Sequence, residues 1–352
     1  RQLAWFKKTA DTNLVLAENG QPLISLISND YLNLSQRPEV IKAAKEGLEL
    51  GLGAGNSRLL TSYQKFYQSF ERELASYKQT EAALIFGSGY LANLATISAL
   101  AGPADLIIAD RQIHACFIDG SLLSKAKLKR FRHNDIAHCQ ALLAQERSKY
   151  RFLFIASESL FSMSGEFGKL EQLLALAHQY DGYLISDDAH GLGLVKKPAD
   201  PRHLQLGTLS KMLGSYGGYL AGPKLIIDYL INRGRGLIYS TALPDSNLAG
   251  ARAALKIIQE EPFHLEKLKA QCQFFIKKAG LAAPIGPIIK IEVSDNQHLL
   301  ECQKQLASQG FLVAAIRRPT VAKPKLRISL NLAHKPAILS NLASQLRRLK
   351  LS

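Results

Sequence analysis

The chain has 352 residues, 47% hydrophobic and 21% charged, which is ample for a sizeable core and excludes intrinsic disorder. Lys and Arg outnumber Asp and Glu by 44 to 29, a formal charge of +15, so some anionic partner is implied: nucleic acid, a membrane surface, a phosphorylated cofactor or an acidic protein. The length suggests about two domains, and apolar runs such as 106–109 and 173–177 fall far short of the roughly 18 residues that cross a bilayer.

In chain order, Pro38 opens a helix running to about Leu50. Residues 63–77 set Phe66, Phe70 and Leu74 at helical spacing and predict a second. Short apolar runs then predict strands at 82–86, 106–109, 128–131, 152–156, 183–186, 205–209 and 218–221, with helical patterns at 91–100, 115–123, 136–147 and 170–179 between them. That alternation predicts an α/β fold with a mostly parallel central sheet flanked by helices. After about Tyr239 the rhythm changes to helices at 244–259 and 262–279, strands at 288–293, 312–316 and 326–330, and a last helix from Pro336. The expected division is an N-terminal segment over 1–37 packing with the small domain, a large domain over 38–240 and a smaller C-terminal α+β domain over 241–352.

Cys116, Cys139, Cys272 and Cys302 have neither zinc-site spacing nor disulfide-scaffold density and read as inert thiols in a reducing compartment. The chain opens at Arg1 with no initiator Met and no leader pattern, so an intracellular protein is expected, with some N-terminal residues missing. Basic residues are spread over 125–132, 196–197, 233–235, 317–327 and 347–350 without interleaved aromatics, which reads as solvated faces rather than an RNA-binding series.

Ligands of open parallel sheets collect at the carboxyl ends of the strands. Residues 183–186 run into Asp187-Asp188-Ala189-His190-Gly191, where Asp187 is either a turn cap or a carboxylate at the base of a cleft. Lys211 follows the run 205–209 and precedes a Gly-rich turn. Alone it reads as a surface lysine, but a desolvated amine there would suit Schiff-base formation. Ser88-Gly89-Tyr90 starts a helix and offers backbone N–H groups to an anion. His114 reads as a helix-start histidine or as a flat ring stacked on a flat ligand. Arg327 alternates with Leu326 and Ile328, so its guanidinium serves one face of a strand, as a carboxylate clamp would.

A phosphate cradle, a stacking ring, a carboxylate, a Schiff-base lysine and a carboxylate-binding arginine together describe pyridoxal 5'-phosphate chemistry. The chain resembles the α-oxoamine synthase family of fold-type I pyridoxal-phosphate enzymes over nearly its whole length. The resemblance lies in Ser28 to Leu34 (SNDYLNL), Asp110 to Ala115 (DRQIHA), Phe161-Ser162-Met163, Asp187 to Gly191 (DDAHG), Gly207 to Lys211 (GTLSK) and Tyr239 to Pro244 (YSTALP). It implies a catalytic set of Lys211, His114, Asp187 and His190: Lys211 holds the cofactor and serves as general base, Asp187 pairs with the protonated pyridine nitrogen, His190 lies near the ring hydroxyl and His114 stacks on the ring. It further implies Ser88, Gly89, Tyr90, Thr208 and Ser210 around the phosphate, Glu158 and Ser162 lining the cofactor, Asn29 and Arg327 at the amino-acid substrate, and no metal. Members are homodimers with sites at the interface, so Ser240 and Thr241 are expected at the partner's phosphate.

Within the family, Ala315 to Val321 (AIRRPTV) is similar to the biotin-pathway branch. That implies condensation of L-alanine with a pimeloyl thioester, on coenzyme A or acyl carrier protein, in the cytoplasm, with no nucleic-acid or membrane partner. The surplus charge would then steer an anionic acyl donor. The rivals are a sister enzyme such as glycine C-acetyltransferase and, from another class, a basic nucleic-acid-binding protein with a degenerate cofactor fold. The chain departs from the family pattern at Tyr67, at Ser164 and at Val195-Lys196-Lys197-Pro198.

Overall fold

The computed structural model describes residues 6–9, 13–60, 65–195 and 199–351. It begins with an antiparallel meander of β1 (Phe6–Lys8), β2 (Leu14–Ala17) and β3 (Pro22–Ser25). The chain divides into two units, one of Arg37–Phe161 with Phe167–Glu260 and one of Arg1–Gln36, Ser162–Glu166 and Glu261–Ser352.

The larger unit runs through α1 (Pro38–Leu48), α2 (Lys65–Lys78), β4 (Ala82–Phe86), α3 (Gly89–Leu100), β5 (Leu106–Asp110), α4 (Ala115–Ser124), β6 (Lys127–Phe131) and α5 (Ile136–Glu146). It continues with β7 (Leu153–Glu158), α6 (Leu170–Gln179), β8 (Tyr183–Asp187), β9 (His203–Thr208), β10 (Gly218–Gly222), α7 (Lys224–Arg233), α8 (Arg235–Ile238) and α9 (Asp245–Glu260). Its seven-stranded sheet has the order β4-β10-β9-β8-β7-β5-β6 and is parallel except at β10, which is antiparallel to both neighbours.

Successive strand residues point to opposite faces. Ile107 and Ala109 pack with Ala92, Ala95 and Phe117 on one side, whereas Leu106 and Ile108 pack with Cys139, Leu143 and Leu173 on the other. Burial on both faces is why these strands read as unbroken apolar runs rather than alternating ones. The edge strand β6 is the exception: Lys127 and Arg130 are exposed, and charge there discourages pairing with another chain.

The smaller unit adds α10 (Phe263–Ala279), β11 (Ile288–Glu292), α11 (Asn296–Ser308), β12 (Phe311–Leu312), β13 (Ala314–Ile316), β14 (Lys325–Ser329) and α12 (Pro336–Arg348). The single strand expected over 312–316 is two strands in different sheets. Phe311 and Leu312 pair in parallel with β3, while β13 pairs antiparallel with β14.

The boundary expected after Ser240 lies instead at Glu260, because α9 packs on α1 so closely that a Cβ on Gly47 would sit 2.7 Å from the carbonyl of Asp245. Ser162–Glu166, expected in the large domain, belongs to the smaller unit. There Gly165 has φ +69°, and a Cβ on it would lie 2.1 Å from the Ile288 carbonyl oxygen. Among the described residues no helix is long and apolar enough to cross a membrane.

Candidate active site

Because β4, β5, β7, β8 and β9 share one direction, their carboxyl ends lie along one edge of the sheet, and the expected large-domain residues collect there. Asp187 is the last residue of β8 and Glu158 the last of β7, paired in register and both buried. Asp187 Oδ1 accepts from the Ala189 N–H at 2.8 Å and Oδ2 accepts from Asn93 Nδ2 at 3.1 Å. Its backbone carbonyl accepts from the Ser159 N–H at 2.9 Å. The carboxylate therefore has two neutral donors and, among the described residues, no ion-pair partner. His190 is buried in the turn that follows, where a Cβ on Gly191 would lie 2.0 Å from Ser159 Oγ.

Ser88 caps α3 with extended backbone, its Oγ accepting from the Leu91 N–H at 3.1 Å. The N–H groups of Gly89 and Tyr90 make no hydrogen bond among the described residues. A Cβ on Gly89 would lie 3.1 Å from Thr208 Cβ, so the helix start rests against the end of β9. Thr208 Oγ1 donates to the Gly217 carbonyl at 2.8 Å and lies 2.8 Å from the exposed Ser210 hydroxyl. Half-buried Lys211 follows in the turn, held through its carbonyl by the Gly214 N–H at 3.0 Å. The side chain of Tyr90 is exposed and bonded to Asp119, so only its backbone can serve a phosphate. Ser240 Oγ is turned onto the Gly236 carbonyl at 2.6 Å, and Thr241 is exposed beside Ser57.

Gly218 opens β10 directly against this cradle: a Cβ there would lie 2.3 Å from the Ser88 carbonyl oxygen and 2.4 Å from the Gly89 nitrogen. Both are backbone atoms and neither yields without moving α3. Gly218→Ala is expected to cost about 1–3 kcal/mol and to raise the dissociation constant of pyridoxal phosphate at least tenfold, read by absorbance titration. Cofactor affinity equal to that of the unsubstituted chain would show that the cradle does not hold the phosphate.

The remaining expected residues sit together in the smaller unit. Buried Arg327, on β14, donates from Nε to the Ser162 carbonyl at 2.7 Å, from Nη1 to Ser329 Oγ at 2.8 Å and from Nη2 to Asn29 Oδ1 at 3.0 Å. Tyr31 lies beside it, fully buried, and burial pushes its phenol well above the ordinary range. A guanidinium fixed by neutral acceptors keeps its charge uncompensated for a carboxylate. Ser162, expected among the cofactor-lining residues, is placed by the structure with this arginine.

The large-unit residues fit pyridoxal phosphate chemically. Among the described residues Asp187 has no cationic partner, as a carboxylate reserved for a protonated ring nitrogen requires, and the helix N–H groups of Gly89 and Tyr90 beside Thr208 and Ser210, unbonded there, suit a phosphate. Three positions at or beneath this edge carry no expectation from the sequence, and a fourth, Cys116, is read there only as an inert thiol. Asn93 and Ser159 hold Asp187, Cys116 contacts His114, and Lys78 forms a buried ion pair with Asp188 at 2.5 Å. Asn93 did leave a signal, a lone amide within an otherwise apolar helical stretch. Among the described residues no group of His, Cys, Asp and Glu is arranged to hold a metal.

A family model for aminotransferase class I and II matches residues 21–346. The 8-amino-7-oxononanoate synthase of Methylobacterium nodulans is 43% identical over 97% of this chain and 91% of its own length. Among solved structures, the 8-amino-7-oxononanoate synthase of Francisella tularensis superposes with a TM-score of 0.79 at 28% identity, covering 93% of this chain and 98% of that one. A structure of SPT with PLP superposes with a TM-score of 0.91 at 23% identity, over 99% of this chain and 94% of that one.

Proposed function

Since the chain belongs to the aminotransferase class I and II family, and within it to the fold-type I α-oxoamine synthases, we infer that it is a pyridoxal-phosphate-dependent acyltransferase of biotin synthesis. It acts as an 8-amino-7-oxononanoate synthase, condensing L-alanine with a pimeloyl thioester and releasing the thiol and CO2. The observation that carries this reading is the 43% identity to such a synthase over nearly the full length of both chains.

Pyridoxal phosphate, when bound, supplies an electron sink for the pair left at the α-carbon as a proton or CO2 departs. The chain supplies the rest. Lys211 holds the cofactor through its amine and, once displaced, moves the α-proton of alanine as general base. Asp187, fixed by Asn93, Ala189 and Ser159, keeps the ring nitrogen protonated. Ser88, Gly89, Tyr90 and Thr208 with Ser210 would receive the phosphate, and His190, Glu158 and His114 would hold the ring. In the smaller unit Arg327, with Asn29 and Ser162, receives the alanine carboxylate. We assign the enzyme to the cytoplasm as a homodimer in which Ser240 and Thr241 serve the partner's phosphate.

Purified protein is expected to be yellow and to turn over L-alanine with pimeloyl-CoA or the pimeloyl carrier-protein thioester, the two arms identifying the carrier. Turnover confined to glycine with acetyl-CoA would replace this reading by that of a sister enzyme. A colourless protein that binds DNA with steep salt dependence would replace it by that of a nucleic-acid binder.

A further inference from the structure

His114 caps α4, and its Nδ1 accepts from the backbone N–H of Cys116 at 3.3 Å, with Cys116 Sγ 3.0 Å from the same nitrogen. A ring nitrogen that accepts from an amide carries no proton, so the proton of the imidazole resides on Nε2. Cys116 is buried, and burial together with the nearby carboxylates of Asp187 and Glu158 pushes its thiol well above the usual range. It is therefore an S–H group, a second donor to Nδ1. These neighbours, together with Lys211, which acts in the opposite sense, set Cys116 among the residues of the sheet edge. The ring of His114 is exposed, and its Nε2 makes no hydrogen bond among the described residues.

We propose that Cys116 is a positioning residue that locks His114 in the Nε2–H tautomer, so that the ring offers the substrate a hydrogen-bond donor for a carbonyl or carboxylate oxygen. The inference rests on the reading of this edge as the active site and adds Cys116 to it. Two donors on Nδ1 also fix the ring plane, which a stacking ring requires.

Nitrogen-15 NMR of the histidine-labelled full chain tests the lock without turnover, with the His114 signals assigned by their loss in His114→Gln. The expected spectrum has a pyridine-like Nδ1 and a pyrrole-like Nε2. Cys116→Ser keeps a side-chain donor and should keep that pattern. Cys116→Val, or Cys116→Ala should valine disturb the packing, is expected to shift the tautomer ratio about fivefold, the weight of one hydrogen bond. The valine or alanine variant should lower kcat/KM by a similar factor, and the serine variant should restore it. A rise confined to KM for alanine identifies a carboxylate as the oxygen, and one confined to the acyl donor identifies the thioester carbonyl. A pyrrole-like Nδ1 in the unsubstituted chain, or tautomer ratios indifferent to valine and alanine, would overturn the proposal. The expected tautomers in a chain that does not condense alanine with any pimeloyl thioester would leave the lock standing and remove the proposed function.

Discussion

Lys211→Ala is expected to reduce condensation of alanine with a pimeloyl thioester by about 10³-fold or more, because the variant loses both the amine that holds the cofactor and the base that moves the α-proton. The fold should survive. Lys211 is half-buried, and the turn around it is tied by backbone bonds that alanine retains: Leu209 N–H to the Gly217 carbonyl, Ser215 N–H to the Leu209 carbonyl and Gly214 N–H to the Lys211 carbonyl, each 3.0 Å. Stability within about 1 kcal/mol of the unsubstituted chain is therefore anticipated. Borohydride should fix the cofactor onto Lys211 in the unsubstituted chain and leave the alanine variant unlabelled. A variant that folds, binds pyridoxal phosphate and retains more than about a hundredth of the rate would show that another group performs the proton transfer.

The sheet edge was legible because its signals are local. Asp187 directly follows the apolar run 183–186, and a polar residue where a doubly buried strand stops is visible without knowing the fold, whereas Glu158 and Thr208 came only with the family resemblance. Lys211 and the Ser88 cap follow such ends by one to three residues. What escaped depends on packing. Residues 311–316 form one apolar stretch, yet the chain leaves one sheet at Leu312 and enters another at Ala314, a choice made by partners far away in sequence. The unit boundary at Glu260 is set by α9 lying on α1, and no Gly- or Ser-rich linker marks it. Asn93 stands out as a lone amide in α3, but what it serves is shown only by Asp187 Oδ2 at 3.1 Å. Lys78 and Asp188 are 110 positions apart, and Asp188 reads in the sequence as the tail of the Asp187 motif rather than as half of an ion pair.

Lys78→Met is expected to destabilise the chain by about 3–5 kcal/mol, the cost of leaving a buried carboxylate without its counter-charge. The side chains of Lys78 and Asp188 are 6% and 0% exposed, with Nζ 2.5 Å from Oδ2. Asp188 Oδ1 accepts from Ser186 Oγ at 3.3 Å, and that hydroxyl lies 2.9 Å from His203 Nε2. The double variant Lys78→Met, Asp188→Asn buries no charge and should recover most of the loss. Burial acts to lower the Lys78 ammonium, and the Asp188 carboxylate at 2.5 Å opposes it by favouring the charged amine. Urea midpoints of the three chains read the loss and its recovery. A double variant no more stable than the single one would mean that the loss comes from packing and not from the carboxylate. A single variant as stable as the unsubstituted chain would mean that the carboxylate finds another partner.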